Sequence, residues 1–156
     1  MKRFNVRVYG VCIENDHLLV TDEIRLNTPM TKLPGGGLEF GEGLEDALKR
    51  EFMEEMETDI EVGKILYVNP FLQISVLRET DQVLCLYFLV RRLSESKGIF
   101  TEKALDFPTQ ENDQQQFRWI PMQELRTESF TFPIDQALVP QLLDHYETQK
   151  KLDQSQ

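Results

Sequence analysis

The sequence predicts a mixed domain of the α+β (or α/β) class, with helices packed on a twisted sheet. Three observations carry this. Short β-patterned runs outnumber helical stretches, they mix with two helical segments in no regular order, and several lie close enough to pair as antiparallel hairpins. With 156 residues the chain is long enough for one domain with a real core. No repeat or linker divides it, so residues 1–149 read as one domain and 150–156 as a polar C-terminal tail expected to fray.

Taken in order, "FNVRVYGVCI" alternates apolar and polar residues and then turns continuously apolar, which is a strand pattern. "ENDH" is a turn and "LLVTDEIRL" a second strand, so residues 4–25 are expected to form a hairpin. "NTPMT" reads as loop. "KLPGGGLEFGEG" is a glycine-rich connection with room for a short strand over Leu38–Phe40. A helix follows over Leu44–Met56. "IEVGKILYVN", "FLQISVL" and "QVLCLYFLVRR" are the next strand-like segments, the last two joined by "RETDQ". Residues 93–116 are polar and irregular, a long loop of the kind that carries function. "FRWIPMQEL" is a strand running into a helical turn. "FPIDQALVPQLLDHYETQK" is the final helix, with Pro133 in its first turn and Pro140 as a kink.

The totals narrow the function. There are 27 acidic residues against 17 Lys and Arg, for a formal net charge of -10. Such a chain is unsuited to non-specific binding of nucleic acid or anionic membranes, both of which need a basic surface. An anionic substrate would require local basic residues or metal ions. Cys12 and Cys85 lie in apolar runs and read as buried reduced thiols. His17 and His145 read as ordinary surface or turn residues, and no nucleophile triad is visible. No signal-peptide pattern and no apolar run of about 18 residues is present, so a cytoplasmic location is the default expectation.

The helix over Leu44–Met56 holds the chemistry. On a wheel of roughly 100° per residue, Leu44, Ala47, Leu48, Phe52 and Met56 fall on one side. Glu51 and Glu55 land near the middle of that apolar side, one turn apart, and Glu54 sits at its edge. Spacings of three and four bring the three carboxylates to one face. A solvated acidic face is the commoner meaning of such a run, but this is the wrong face for it. Clustered, partly buried carboxylates repel one another, and protonation or a divalent cation relieves them. Hard oxygen ligands favour magnesium, manganese or calcium. Structural ion pairs are the other reading. Arg50 projects about 100° from Glu51 and is expected only to flank the group. Gly35, Gly36 and Gly37 allow a backbone path that can offer a carbonyl to a metal or an N–H to a phosphate.

Gly36 to Thr58 resembles the Nudix box, G-x5-E-x7-R-E-U-x-E-E-x-G-U, in which U is a bulky apolar residue. Gly36 and Glu42 match its opening glycine and first glutamate, Arg50 and Glu51 its "RE", Phe52 its first U, and Glu54 and Glu55 its "EE". Two positions depart: Glu57 stands where the family has glycine, and Thr58 where it has U. A non-glycine residue held at positive φ costs roughly 1 kcal/mol, so a slightly altered helix end is the cheaper expectation.

The resemblance implies an α/β/α sandwich, a mixed twisted sheet with helices on both faces. It also implies a Mg2+- or Mn2+-dependent hydrolase acting on the pyrophosphate bond of a nucleoside diphosphate linked to another moiety. Glu51, Glu54 and Glu55 would hold the metal with the Gly35 carbonyl, while Arg50 and Glu42 brace loop and helix as part of the catalytic set. An additional acidic ligand or base is expected in the loop before "FRWIPMQEL", with Glu111 the first candidate and Asp113 the second. Arg25, Lys32, Gly36 and Gly37 are the candidates for substrate phosphates, and Tyr67, Phe71 and Phe117 for stacking on a base. The implied partner is a small nucleotide or nucleotide derivative, with no nucleic-acid duplex and no membrane. Many members dimerise, which makes a homodimer part of the expectation. The alternative reading is a catalytically weak or inactive Nudix-fold nucleotide-binding module, motivated by Glu57.

Overall fold

A computed structural model describes all 156 residues. Two four-stranded sheets form its middle layer. The first contains β1 (Arg3–Val11), β5 (Gly35–Gly37), β6 (Ile60–Val68) and β7 (Asp81–Arg92), in the order β5-β1-β7-β6. β1 runs parallel to β7 and antiparallel to β5, and β6 is antiparallel to β7. The second is built on β3 (His17–Arg25). It pairs with β2 (Ile13–Glu14) and β4 (Thr28–Lys32) on one side and β8 (Gln114–Pro121) on the other, all antiparallel.

Helix α1 (Leu44–Met56) covers one face and α2 (Pro133–Gln154) the other. The period-2 alternation of the strands explains how one layer serves two cores. Val8, Leu19 and Phe88 go to the α1 side with Ala47, Leu48, Phe52 and Met56. Their neighbours Tyr9, Leu18 and Tyr87 go to the α2 side with Ile134, Leu138 and Leu142. The expected sandwich with helices on both faces is therefore present. No helix is long and apolar enough to cross a membrane. Both cysteines are buried free thiols, and burial pushes each up to about 12.

Several local expectations change. Residues 4–25 do not make one hairpin: the chain leaves β1 near Cys12 and switches sheets, so only β2 and β3 pair tightly. The short strand lies at Gly35–Gly37 instead of Leu38–Phe40, because these glycines can approach β1 closely. A Cβ on Gly35, whose φ is +143°, would stand 2.1 Å from the Val8 carbonyl oxygen. "NTPMT" contributes β4 despite its proline, which sits opposite Ile24 on an edge strand that needs no donor there. "FLQISVL" makes only a single bridge, Ile74 to Gln82, and stays largely exposed. The tail does not fray at residue 150, since α2 continues to Gln154.

The end of α1 is the notable departure. Glu57 takes the left-handed conformation, φ 48° and ψ 42°, and its N–H donates to the Met53 carbonyl at 3.0 Å. The helix end is thus the one a glycine would give, contrary to the expectation of an altered end. The Ser94–Lys97 segment holds it there. Thr58 Oγ1 donates to Ser96 Oγ (2.8 Å), Lys97 N–H donates to the Met56 carbonyl (2.8 Å), and the Glu57 carboxylate meets Lys97 Nζ at 2.6 Å. Replacing Glu57 by Gly is expected to raise unfolding stability by about 1 kcal/mol, the strain of αL backbone in a non-glycine residue. Urea denaturation followed through Trp119 measures it, and a loss of stability would show that the Lys97 contact outweighs the strain.

Candidate active site

Gly43 is the N-cap of helix α1, and Glu45 and Asp46 lie in its first turn, where the helix dipole favours negative charge. Its buried stripe of Ala47, Leu48, Phe52 and Met56 fixes the rotation of the helix. That rotation sets Glu51 and Glu55 at the margin of the core and leaves Glu54 more open, with its side chain 59% exposed.

Arg50 stands at the centre of the acidic group. Its guanidinium donates to Glu42 (2.9 and 2.7 Å), Glu51 (3.0 Å), Glu54 (3.3 Å) and the Gly37 carbonyl (3.0 Å). The expectation that Arg50 only flanks the group is corrected: a wheel records the direction of Cβ, and the long arginine side chain reaches back over its neighbours. These bonds hold the Glu42 carboxyl down at about 2. Gly36 makes room on the other side, since a Cβ there would lie 2.4 Å from Glu51 Oε1.

Glu55 is in a different environment. Its Oε2 is sealed from solvent and has no hydrogen-bond partner. Burial pushes its carboxyl up to about 7; nearby Lys32 pulls it down, while Glu23 and Glu51 push it further up. With Arg50 interposed, no three acidic, His or Cys side chains stand together as a ready-made metal cage. The donor set nonetheless fits a hard divalent cation. Every side-chain donor is a carboxylate oxygen, and the buried, unpartnered Oε2 of Glu55 is the kind of group such a cation would satisfy.

Glu23 was missed in the sequence, hidden within the apolar run "LLVTDEIRL". It is 3% exposed, accepts from Gln115 Nε2 (2.8 Å) and lies 3.4 Å from Lys32 Nζ. Glu111 and Asp113, by contrast, are exposed residues near the β3–β4 turn: Asn112 bonds Asn27, and Asp113 N–H donates to the Ile24 carbonyl. The chain turns there, and Gln114 Nε2 donates to the Glu111 carbonyl at 2.9 Å. No contact links either acid to the α1 carboxylates.

A cavity of about 430 Å³ opens beside this group, between the α2-side face of the first sheet, β3–β4 and the start of α2. Arg25 and Lys32 both line it, as do Arg7, Tyr9, Glu23 and Asp135. Lys32 is buried and sits 5.3 Å over the Tyr9 ring. Arg7 Nε donates to Tyr9 Oη at 2.6 Å. The Tyr87 hydroxyl donates to Asp135 Oδ1 at 2.5 Å, and burial pushes the Asp135 carboxyl up to about 6 against that bond and the nearby Lys32 and Arg7. Period-2 alternation in "RVYG" could have placed Arg7 and Tyr9 on one face; nothing local marks Asp135. Of the aromatic candidates, Phe117 is buried against Phe100, Tyr67 packs near Tyr87, and neither these nor Phe71 lines the cavity.

A model of the NUDIX domain family matches residues 1–142. A NUDIX hydrolase from Nitrosomonas europaea shares the fold at 23% identity, over 95% of this chain and 91% of its own, with a TM-score of 0.66. A MutT NUDIX hydrolase from Burkholderia pseudomallei does so at 17% identity, over 90% and 98%, with a TM-score of 0.67. An ADP-ribose pyrophosphatase from Streptococcus suis matches at 15% identity, over 91% of each chain, with a TM-score of 0.60. No curated protein matches the chain by sequence. The family match over most of the chain, the box at Gly36 to Thr58 and the shared fold agree, and the chain belongs to the Nudix family.

Proposed function

We propose that the protein hydrolyses the pyrophosphate bond of a nucleoside diphosphate joined to another moiety, using Mg2+ or Mn2+. The observation that carries this reading is the buried, partnerless Glu55 Oε2 beside Glu51, at the edge of a cavity lined by Arg7 and Lys32. Glu51, Glu54 and Glu55 would hold the metal with the Gly35 carbonyl. Bound there, a divalent cation supplies charge neutralisation for the phosphates and lowers the pKa of an attacking water.

The chain's own residues supply the rest. Arg50 orients Glu51 and Glu54 and ties α1 to the Gly37 carbonyl, and Glu42 fixes Arg50. Lys32 and the more exposed Arg25 offset the charge of the polyphosphate, which a chain of net charge -10 would otherwise repel, and the rest of the cavity would seat the nucleoside. One of the carboxylates at the site would take the proton of the attacking water. Glu57 is the residue that speaks for a binding module without turnover. The glycine-like geometry at Glu57 favours the hydrolase.

The test is a panel of ADP-ribose, nucleotide sugars, dinucleoside polyphosphates and nucleoside di- and triphosphates, each with magnesium and with EDTA. Turnover of at least one substrate, abolished by EDTA, is expected. Folded protein that binds nucleotides but turns over none of them would favour the binding module.

A further inference from the structure

Asp135 and Arg7 are charged groups of the cavity that the protein does not use up. Asp135 is 4% exposed, and its only side-chain hydrogen bond within the chain is the one that Oδ1 accepts from the Tyr87 hydroxyl. Arg7 spends Nε on Tyr9 Oη, and its two terminal nitrogens donate to no protein group. Both residues line the same cavity, yet no ion pair joins them. Keeping a carboxylate and a guanidinium apart in a sheltered pocket costs stability unless something with matching donors and acceptors lies between them.

Resting on the hydrolase reading, in which this cavity seats the nucleoside, we infer that the cavity selects a guanine base, with Asp135 accepting from N1–H and the 2-amino group. A carboxylate presents two acceptors side by side and so needs two donors side by side. Guanine is the common base with such an edge. Adenine and cytosine place their amino group beside a ring nitrogen that is itself an acceptor, which a carboxylate repels. Uracil and thymine flank their single N–H with carbonyls. Guanine's other edge, O6 and N7, is the acceptor pair that an arginine fork recognises, and Arg7 has both terminal nitrogens free for it. Tyr87 holds Asp135 in place through the hydroxyl bond and stacks on Tyr9 at 5.5 Å between ring centroids, which makes the receptor rigid before any ligand arrives. A cavity of about 430 Å³ is large enough for a nucleoside. Lys32 and Glu23, next to Glu55, mark the end at which phosphates would leave the cavity.

The experiment is calorimetric titration at pH 7 with magnesium, using GMP, IMP, XMP and AMP. None of these contains a pyrophosphate bond, so binding is read without turnover. Wild type is expected to bind GMP about tenfold or more tightly than IMP, which lacks only the 2-amino group. Asp135→Asn pairs an acceptor with a donor and is expected to reverse the order of GMP and XMP, because xanthine places a carbonyl where guanine has its amino group. A merely structural role for Asp135 would weaken all four ligands alike. Equal wild-type affinities for GMP, IMP and AMP overturn the inference, whether or not Asp135→Asn folds. Guanine preference without hydrolysis of any substrate would support the inference and remove the hydrolase reading. Hydrolysis without base preference would overturn the inference and leave the hydrolase reading standing.

Discussion

Glu55→Gln is expected to lose about 10²- to 10⁴-fold in kcat while unfolding less readily than wild type above neutral pH. The two effects have one cause. Glu55 Oε2 is sealed without a partner, and burial raises its carboxyl to about 7 from the ordinary value of 4.5. A carboxyl whose folded pKa lies above its unfolded one binds more protons in the native state. Its contribution to stability is therefore greatest in acid, falls as the pH rises through about 4.5 to 7, and is a net cost above that. For a group this buried the cost reaches at most about 3 kcal/mol at pH 8. A neutral amide escapes it and can donate to Glu23 nearby. Urea titrations of both proteins at pH 5 and pH 8, with EDTA, read the difference. It should be small at pH 5 and favour Glu55→Gln at pH 8. A variant less stable than wild type at pH 8 would mean that Glu55 is satisfied by the protein after all.

The second large effect is expected at Arg50. Arg50→Ala should lower kcat about 10- to 100-fold, the usual consequence of losing a group that orients metal ligands, if the carboxylates serve as proposed. Glu42, Glu51, Glu54 and the Gly37 carbonyl all lose a donor at once. Arg50→Lys should not restore the rate, because an ammonium cannot reproduce the planar fork that serves these groups together. The same change alters acid stability. Arg50 depresses the Glu42 carboxyl to about 2, so the Glu42–Arg50 contribution is fully present above the ordinary carboxylate range and is lost as the pH falls through 2. The stability gap between wild type and Arg50→Ala should therefore narrow from pH 5 to pH 2. A constant gap would show that Arg50 acts by packing alone.

Much of this was legible in the sequence where the signal is periodic or of fixed spacing. Helix α1 has the bounds that its 3.6-residue pattern gives, Leu44–Met56, and Pro133 opens α2 as expected. The box residues Glu42, Arg50 and Glu51 meet because their spacing suits one helix and the loop before it. What was not legible depends on which strands become neighbours. β1 and β3 look like a hairpin locally, but β1 pairs with β7, over seventy residues away, and that long-range pairing builds the cavity floor from Arg7 and Tyr9. Glu23 was hidden because a buried charged residue within an apolar strand has no local signature; only Gln115 and Lys32, brought in by β8 and β4, explain it. Glu57 misled in the opposite way. Its residue type argues against a left-handed helix end, and the Ser94–Lys97 segment imposes one.

The central claim is that the α1 carboxylates form a divalent-cation site completed by Glu55. Thermal unfolding of wild type and Glu55→Gln at pH 8, with magnesium and with EDTA, tests it most directly. A cation that binds only the folded state raises Tm, and here it also relieves the buried carboxylate. Magnesium is expected to raise the wild-type Tm clearly and that of Glu55→Gln far less. An equal shift in both proteins, or none in wild type, would contradict the account.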